Sequence, residues 1–439
     1  MAASRTVIFC QRLGCSNRDG KIMQSSNSQT GRLPGQAIRC ICAAVFDLAT
    51  EDRVILGWNR RPLHLAGGDQ VPGISRVVVD ARQAWTRAQP AFVADLSEGG
   101  VQHTLFACSL VRHAKFVSQF QRCALFGSHH FHAVLQDNGT LSLHDTDFDR
   151  VKWRVEFYLA RDPGPEVVIP RIEAQDGGFV CTTSFLGESD VVRIAEPVFF
   201  GSPVEPDNYG MWLIMGLPSA HDFVRRAHGG RYLCWIRSAW QRKLLNFMGI
   251  PDEQIVVQEP WRIYDCSSLT MHQYSHVDVT PTPSDRGVFE ELRERCMKGE
   301  HKAFEKIFVS RRSFTDKVGY RKLLNEAELI NALEARGFVT VEPEMLDFQA
   351  QVRIFASARV VVGLGGAAMF NAVFCKPGAA IVSIEGSPAF TYGHSNLFAA
   401  SQLDFGFIFG KQDQSDPTPT HKRWSVNVPE AMRYVDAFI

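Results

Sequence analysis

The chain has 439 residues, 45% hydrophobic and 21% charged, and its 47 Lys plus Arg balance 47 Asp plus Glu. That length exceeds one ordinary core and predicts two domains of globular composition. Zero formal net charge excludes a global field that recruits nucleic acid or anionic lipid, so any anion binding falls to local basic clusters.

No apolar run is long enough to span a bilayer, which predicts no transmembrane segment. The N-terminus from Met1 to Cys10 carries one short apolar patch, Val7-Ile8-Phe9, and no secretory h-region. The expected location is therefore cytoplasmic, or at the inner face of the membrane. Eleven cysteines scattered from Cys10 to Cys375 read as reduced thiols rather than a disulfide framework. Cys10-x4-Cys15 and Cys40-x-Cys42 lack the usual zinc spacing. Asn138-Gly139-Thr140 is a glycosylation sequon only on paper when no signal peptide precedes it.

In chain order, residues 1–36 are polar, weakly periodic and read as a disordered or loosely attached tail. Residues 37–285 then form an N-terminal domain whose first part is strand-rich. Ala133 to Leu143, broken by Asp137-Asn138-Gly139, predicts a hairpin. Alternation over Val151 to Phe157 predicts a half-buried strand, and Ser128 to His132 a strand with outward histidines. Asp145-Thr146-Asp147 spells a metal-transferase pattern but is expected to lie on an exposed loop. Asn208 predicts a helix cap before Trp212, Leu213 and Leu217, with Trp212 in the core. A strand at Cys234-Trp235-Ile236, a helix from Ala239 to Met248 closed by Gly249 and a strand ending at Val257 predict parallel α/β structure. The proline-bearing stretch 277–288 reads as an interdomain linker.

The C-terminal domain, residues 286–439, alternates more clearly. Lys306 to Ser310 is a strand ending on Arg311-Arg312. Asn325 and Glu328 open a helix that stops at Gly337, Phe338 to Val341 is a strand, and Asp347 caps the next helix. Pro429 to Ile439 predicts a closing amphipathic helix.

The most informative stretch is Arg359 to Gly386. Val360-Val361-Val362 leads into Gly363, Gly365 and Gly366, a short helical segment stops at Lys376-Pro377-Gly378, and a second strand ends at Glu385. Such glycines let backbone N–H groups approach an anion, and a following helix N-terminus favours negative charge. Glu385 sits where α/β sheets often hold a ribose. A nucleotide site is expected. Gly363-x-Gly365-x-x-Ala368, followed by an acid about twenty residues on, also fits the dinucleotide fingerprint of a nicotinamide-dependent oxidoreductase, although little chain remains for further strands. Ligand-free Gly-rich packing is the plainest alternative.

Taken together, Ser310-Arg311-Arg312, Arg321 to Glu326, Ala356 to Gly363, Gly366-Ala367-Ala368-Met369-Phe370-Asn371 and Pro377-Gly378, with Asn208-Tyr209-x-x-Trp212-Leu213 and Leu217-Pro218, resemble glycosyltransferase family 61, particularly its bacterial capsule and cell-surface polysaccharide enzymes. The resemblance covers about residues 195–439. It implies an α/β, GT-B-like fold of two facing Rossmann-like domains with a strand-rich N-terminal extension. It also implies inverting transfer from a nucleotide sugar, usually UDP-linked, to a hydroxyl of a glycan or lipid-linked acceptor, with no required metal or cofactor.

On that reading Gly363, Gly365, Gly366 and Ala367 hold the diphosphate, and Arg311, Arg312 and Arg321 neutralise it. Glu385 binds ribose, and Asn371 holds the loop or touches the sugar. The family usually carries histidines where this chain has Gly365 and Met211. Transfer needs a general base, for which Asp222 and His221 are the candidates beside Asp207; a catalytically silent, ligand-binding relative is the alternative.

Overall fold

The computed structural model describes residues 61–65, 71–97, 109–128, 131–160, 171–175, 178–182, 191–226, 229–275, 277–314, 321–388, 391–418 and 421–439. The expected tail at 1–36 and the Cys10–Cys15 and Cys40–Cys42 spacings lie outside these residues. The architecture is mixed α/β, built on a 12-stranded mixed sheet and a 6-stranded sheet.

Two long antiparallel strands, Lys115–Ser128 and Ile263–Tyr274, run through the middle of the first sheet. On one side lies the expected hairpin, Phe131–Gln136 against Thr140–Ser142. Gly139 supplies a positive φ of 84° and Asn138 accepts from the Thr140 N–H at 2.9 Å, so local chemistry closes the turn. On the other side, strands Val198–Phe200, Arg231–Cys234 and Ile255–Val257 pair in parallel. The helix Ala239–Met248 connecting the last two begins at a Ser238–Gln241 capping box and ends at Gly249, φ 97°.

The second sheet is wholly parallel, in the order Val339–Val341, Lys306–Val309, Val360–Leu364, Ala380–Glu385, Asp404–Phe409 and Phe92–Asp95. Its strands are covered on both faces, which is why they read as unbroken apolar runs. One face carries Phe308, Val362, Leu364, Val382 and Ile384 beneath helices Glu326–Glu334 and Val428–Phe438. The other presents Ile307, Val361, Ile381, Phe405 and Phe407 to a buried cluster that continues through Phe289 and Phe374 to Trp212 and Phe199. The two sheets thus meet in one continuous core, with Trp212 fully buried as expected.

Four expectations are corrected. Val151 to Phe157 lies in a helix, Phe148–Ala160: Val151 and Val155 are buried while Lys152 and Glu156 are exposed, and Asp147 caps the Arg150 N–H at 3.1 Å. Positions 151 and 155 satisfy both the strand and the helix period, and the cap decides between them. Residues 277–288 do not form a linker throughout, because Pro283 opens the helix Pro283–Cys296 behind a Thr282–Asp285 capping box. His132 is buried against His144, Phe200 and Trp235 rather than outward. Asp145 is likewise buried, paired with Arg154 and accepting from the Val277 N–H at 2.7 Å, so it is no exposed loop residue.

The edge strand Phe92–Asp95 comes from far outside the segment that supplies the other five. It docks where Gly406 leaves room for the Phe92 ring, on which any β-carbon at 406 would land. Gly406→Val is therefore expected to lower stability by about 1–3 kcal/mol through overpacking. Equilibrium urea unfolding measures this, and an unchanged midpoint would mean the edge strand does not bear on stability.

Candidate functional site

Chain order in the parallel sheet changes direction between Lys306–Val309 and Val360–Leu364. Strands added from one lead outward to Val339–Val341, and from the other to Ala380–Glu385. Such a switch point leaves a crevice at the carboxyl ends of its two strands. Arg311 follows the first strand and Gly365-Gly366 the second, so both stand at that crevice.

Glycine is required in this loop because its neighbours fill the space. A β-carbon on Gly365 would overlap the Glu385 carboxylate, and one on Gly366 would lie 2.7 Å from the Arg311 guanidinium. The loop is tied by the Gly365 N–H to the Ile384 carbonyl at 2.9 Å, and by Arg311 Nη1 to the Gly365 carbonyl. Ala367–Phe374 then continues as a 3-10 helix.

Glu385 is fully buried. Its Oε1 accepts from Ser383 Oγ at 2.7 Å and lies 2.8 Å from His394 Nδ1. His394 Nε2 lies 3.2 Å from the Gly366 carbonyl oxygen, and the ring packs against Phe370 and Phe398. Burial alone would raise the Glu385 pKa, but His394, Ser383 and Arg321 together hold it below the ordinary value. The carboxylate expected to meet a ribose is thus turned inward and engaged by an imidazole. The same placement withdraws the acid that a dinucleotide fingerprint would offer to its ligand.

The arginines part company. Glu326 Oε1 accepts from Ser310 Oγ at 2.6 Å and from the Arg311 N–H at 2.9 Å, fixing the backbone from which Arg311 reaches the loop. Arg312 instead pairs with Glu342 at 2.6 Å, and its side chain is 56% exposed. Arg321 stands close enough to act on Glu385 and on His421. The pKa of His421 is lowered first by burial, then by Arg321 and Arg311. Arg311 thus lies against Gly365-Gly366, with Arg321 within electrostatic reach of Glu385 beneath the loop and His421 within reach of both arginines.

Asn371 is buried. Its Nδ2 donates to Gln351 Oε1 at 3.0 Å and to the Ala368 carbonyl at 3.1 Å, while Oδ1 accepts from the Tyr209 hydroxyl at 3.1 Å. It holds the loop helix against the block headed by Asn208, which caps through the Gly210 N–H at 2.9 Å. Asp222 and His221 are engaged elsewhere. Asp222 lies 3.2 Å from His272 Nε2 and accepts from Arg226, and His272 Nδ1 lies 3.3 Å from Ser219 Oγ. Burial would raise the Asp222 pKa, but His272 and Arg226 outweigh it and lower it, which suits a poor base. His221 lies 3.0 Å from Glu291.

His394 and His421 escape a sequence reading. Neither falls at a recognisable spacing from the Gly loop, and the helix Thr391–Ala400 that carries His394 has no amphipathic stripe to orient it.

Comparison with known proteins was consistent with this geometry. Residues 209–382 match the family model described as Glycosyltransferase 61. Two similar relatives are the proteins named protein O-linked-mannose beta-1,4-N-acetylglucosaminyltransferase 2 of Tetraodon nigroviridis and of Takifugu rubripes. Each is 32% identical over 124 residues, 27% of this chain and 20% of the relative. The match spans about a fifth of those relatives' length. They correct the expected cytoplasmic location: they are animal enzymes named for protein-linked mannose, in a family typically placed in the secretory pathway. Among the described residues no helix is long and apolar enough to cross a membrane.

Because the folded Glu385 pKa is depressed, its stabilising contribution is present above the unfolded value, about 4.3, and is lost as pH falls through the lower folded value. His394→Ala breaks a buried pair and is expected to cost about 3–5 kcal/mol near neutral pH. In urea titrations from pH 7 to 3 the gap from wild type should narrow as Glu385 protonates. A gap constant with pH would mean the imidazole does not stabilise the carboxylate.

Proposed function

We propose that this chain, which carries a glycosyltransferase family 61 region at residues 209–382, transfers a sugar from a nucleotide-diphosphate donor to a hydroxyl of a glycan acceptor with inversion at the anomeric carbon. The observation that carries the reading is Arg311 bonded to the Gly365-Gly366 loop at the switch point of a parallel sheet, with Arg321 and His421 within electrostatic reach. Basic side chains beside a glycine loop stabilise the charge that develops on a departing diphosphate.

In this reading the donor diphosphate lies across the loop. Arg311, oriented by Glu326 and by the Gly365 carbonyl, and Arg321 stabilise the charge that grows as the bond between anomeric carbon and diphosphate oxygen lengthens. Glu385 and His394 do not touch the donor; they keep the loop in the shape that accepts it. The acceptor hydroxyl attacks from the opposite face, which inverts the anomeric centre. Basic side chains serve where other transferases use a divalent ion, so no metal is required. Parallel strands with intervening helix on the acceptor side support two Rossmann-like halves facing across a cleft. The relatives' printed names favour UDP-N-acetylglucosamine as donor and a mannose-bearing acceptor.

The three arginines separate the reading from its competitors. UDP at one hundred times its dissociation constant stabilises a protein by about 2.7 kcal/mol. Thermal unfolding is expected to show that gain in wild type and Arg312→Ala, and to lose most of it in Arg311→Ala and Arg321→Ala. UDP binding should also raise the His421 pKa, readable by NMR titration, because the diphosphate offsets its cationic neighbours. Stabilisation by NAD(H) and not by UDP would replace the transferase reading with the oxidoreductase one.

A further inference from the structure

Inverting transfer leaves one task unassigned, the removal of the acceptor's proton. Asp222 and His221 are bonded to other partners, and Gly365 and Met211 carry no titratable group. A different carboxylate stands in a built polar setting on the acceptor side.

The helix that begins at Tyr209 widens into a π-helical segment, Trp212–Gly216. Such segments cluster at functional sites because the extra residue re-aims side chains. Ile214 and Met215 from this segment line a cavity of about 10 Å³ together with His113, Tyr274, Asp278, Thr280, Thr282 and Asp285. That volume is about that of one water-sized oxygen, so a sugar hydroxyl fits only at its mouth, with both sugar rings outside.

Two of its polar groups are disposed for a ligand. The Tyr274 hydroxyl is buried with no hydrogen-bond partner among the described residues, an arrangement that native structures rarely leave unexplained. Asp278 Oδ1 accepts from the Thr280 N–H at 2.7 Å, which fixes the carboxylate in a tight turn. Asp285, by contrast, is neutralised by Lys115 at 2.5 Å and held by Thr282. Burial raises the Asp278 pKa to about 6, with Asp145 adding to it and Thr280 and Arg112 opposing. The charged and titratable groups gathered around it are Arg112 and His113 after the strand Ser109–Arg112, Asp145 beside Tyr274, Asp285 and Arg286 of the following helix, and Asp80.

The chain beside Asp278 also packs against the helix that carries His394. Val279, the next residue, occupies the space beside Gly393 that a β-carbon there would need, and Gly393 directly precedes His394. We infer that this cavity receives the acceptor's nucleophilic hydroxyl and that Asp278 is the general base of the transfer. The inference rests on the transferase reading above. As the acceptor oxygen bonds to the anomeric carbon, the bond to the diphosphate breaks with its electron pair on the departing diphosphate. The acceptor's proton passes to the Asp278 carboxylate, and Tyr274 donates a hydrogen bond to the acceptor oxygen beforehand. A carboxylate titrating near 6 is ionised at neutral pH and still basic enough to take that proton.

The test uses the full chain, UDP-N-acetylglucosamine as donor and a p-nitrophenyl mannoside as acceptor, with UDP binding measured first. Wild type that binds no UDP ends the transferase reading itself. In wild type that binds UDP, kcat should rise with pH through about 6 and then level. Asp278→Asn, which keeps the Thr280 contact, should lower kcat by about 10²–10⁴-fold and abolish that rise while UDP binding stays within twofold. Tyr274→Phe should raise the acceptor KM several-fold and leave the pH dependence in place. Asp278→Asn that keeps both its rate and the wild-type pH limb overturns the assignment, as does wild type that binds UDP and transfers to no acceptor at any pH.

Discussion

A carboxylate buried beneath a glycine is the constraint on which the donor side depends. Glu385 ends a fully covered parallel strand, and burying its charge without partners would cost several kcal/mol. Ser383 and His394 supply those partners, and His394 in turn reaches the Gly366 carbonyl. The carboxylate occupies the volume a side chain at 365 would need, so the loop bends as it does because residue 365 has none. Any side chain at 365, a histidine included, would collide with Glu385. In this chain the imidazole reaches the loop from a different helix.

Once the loop is set, the arginines take their places from the sheet's topology. Arg311 leaves the strand next to the loop and bonds to it, whereas Arg312, one residue on, points toward Glu342 and solvent. The strand ends at Val309 and Arg312 opens the 3-10 turn Arg312–Phe314, so the two neighbouring arginines take different directions. Arg321 adds positive charge from another segment, and His421 comes within reach of both arginines from a further one. Residues drawn from separate segments are typical of sites at switch points, where loops from several strands share one crevice.

The acceptor side is coupled to the donor side through packing and one buried network. The Tyr209 hydroxyl lies 2.8 Å from Gln351 Oε1 and 3.1 Å from Asn371 Oδ1, joining the helix capped by Asn208 to the loop helix. Phe370 fills the space beside Gly210, and the core runs unbroken between the sheets. Movement of one half against the other would have to break these contacts. The Gly365-Gly366 loop and the cavity beside Asp278 are therefore held in a fixed relation by the core between them.

Local signals were legible wherever chemistry and chain position coincide. Asn208 and Asp347 cap helices, Gly249 ends one and Asn138-Gly139 closes a hairpin, because caps and turns depend on neighbours along the chain. The run from Val360 to Glu385 announced a strand, a glycine loop and a second strand, and the blocks around it carried the family resemblance. Asp222 and His221 read as candidates from their position, and the structure engaged them with His272, Arg226 and Glu291 instead. What the sequence determined by itself was local: element types, the anion-ready loop and its basic neighbours. The tertiary structure alone decided that Glu385 faces inward, that Arg311 and Arg312 diverge, and that His394, His421, Tyr274 and Asp278 stand near a site. Those outcomes depend on burial and on contacts between residues far apart in the chain, and neither has a signature in residue spacing.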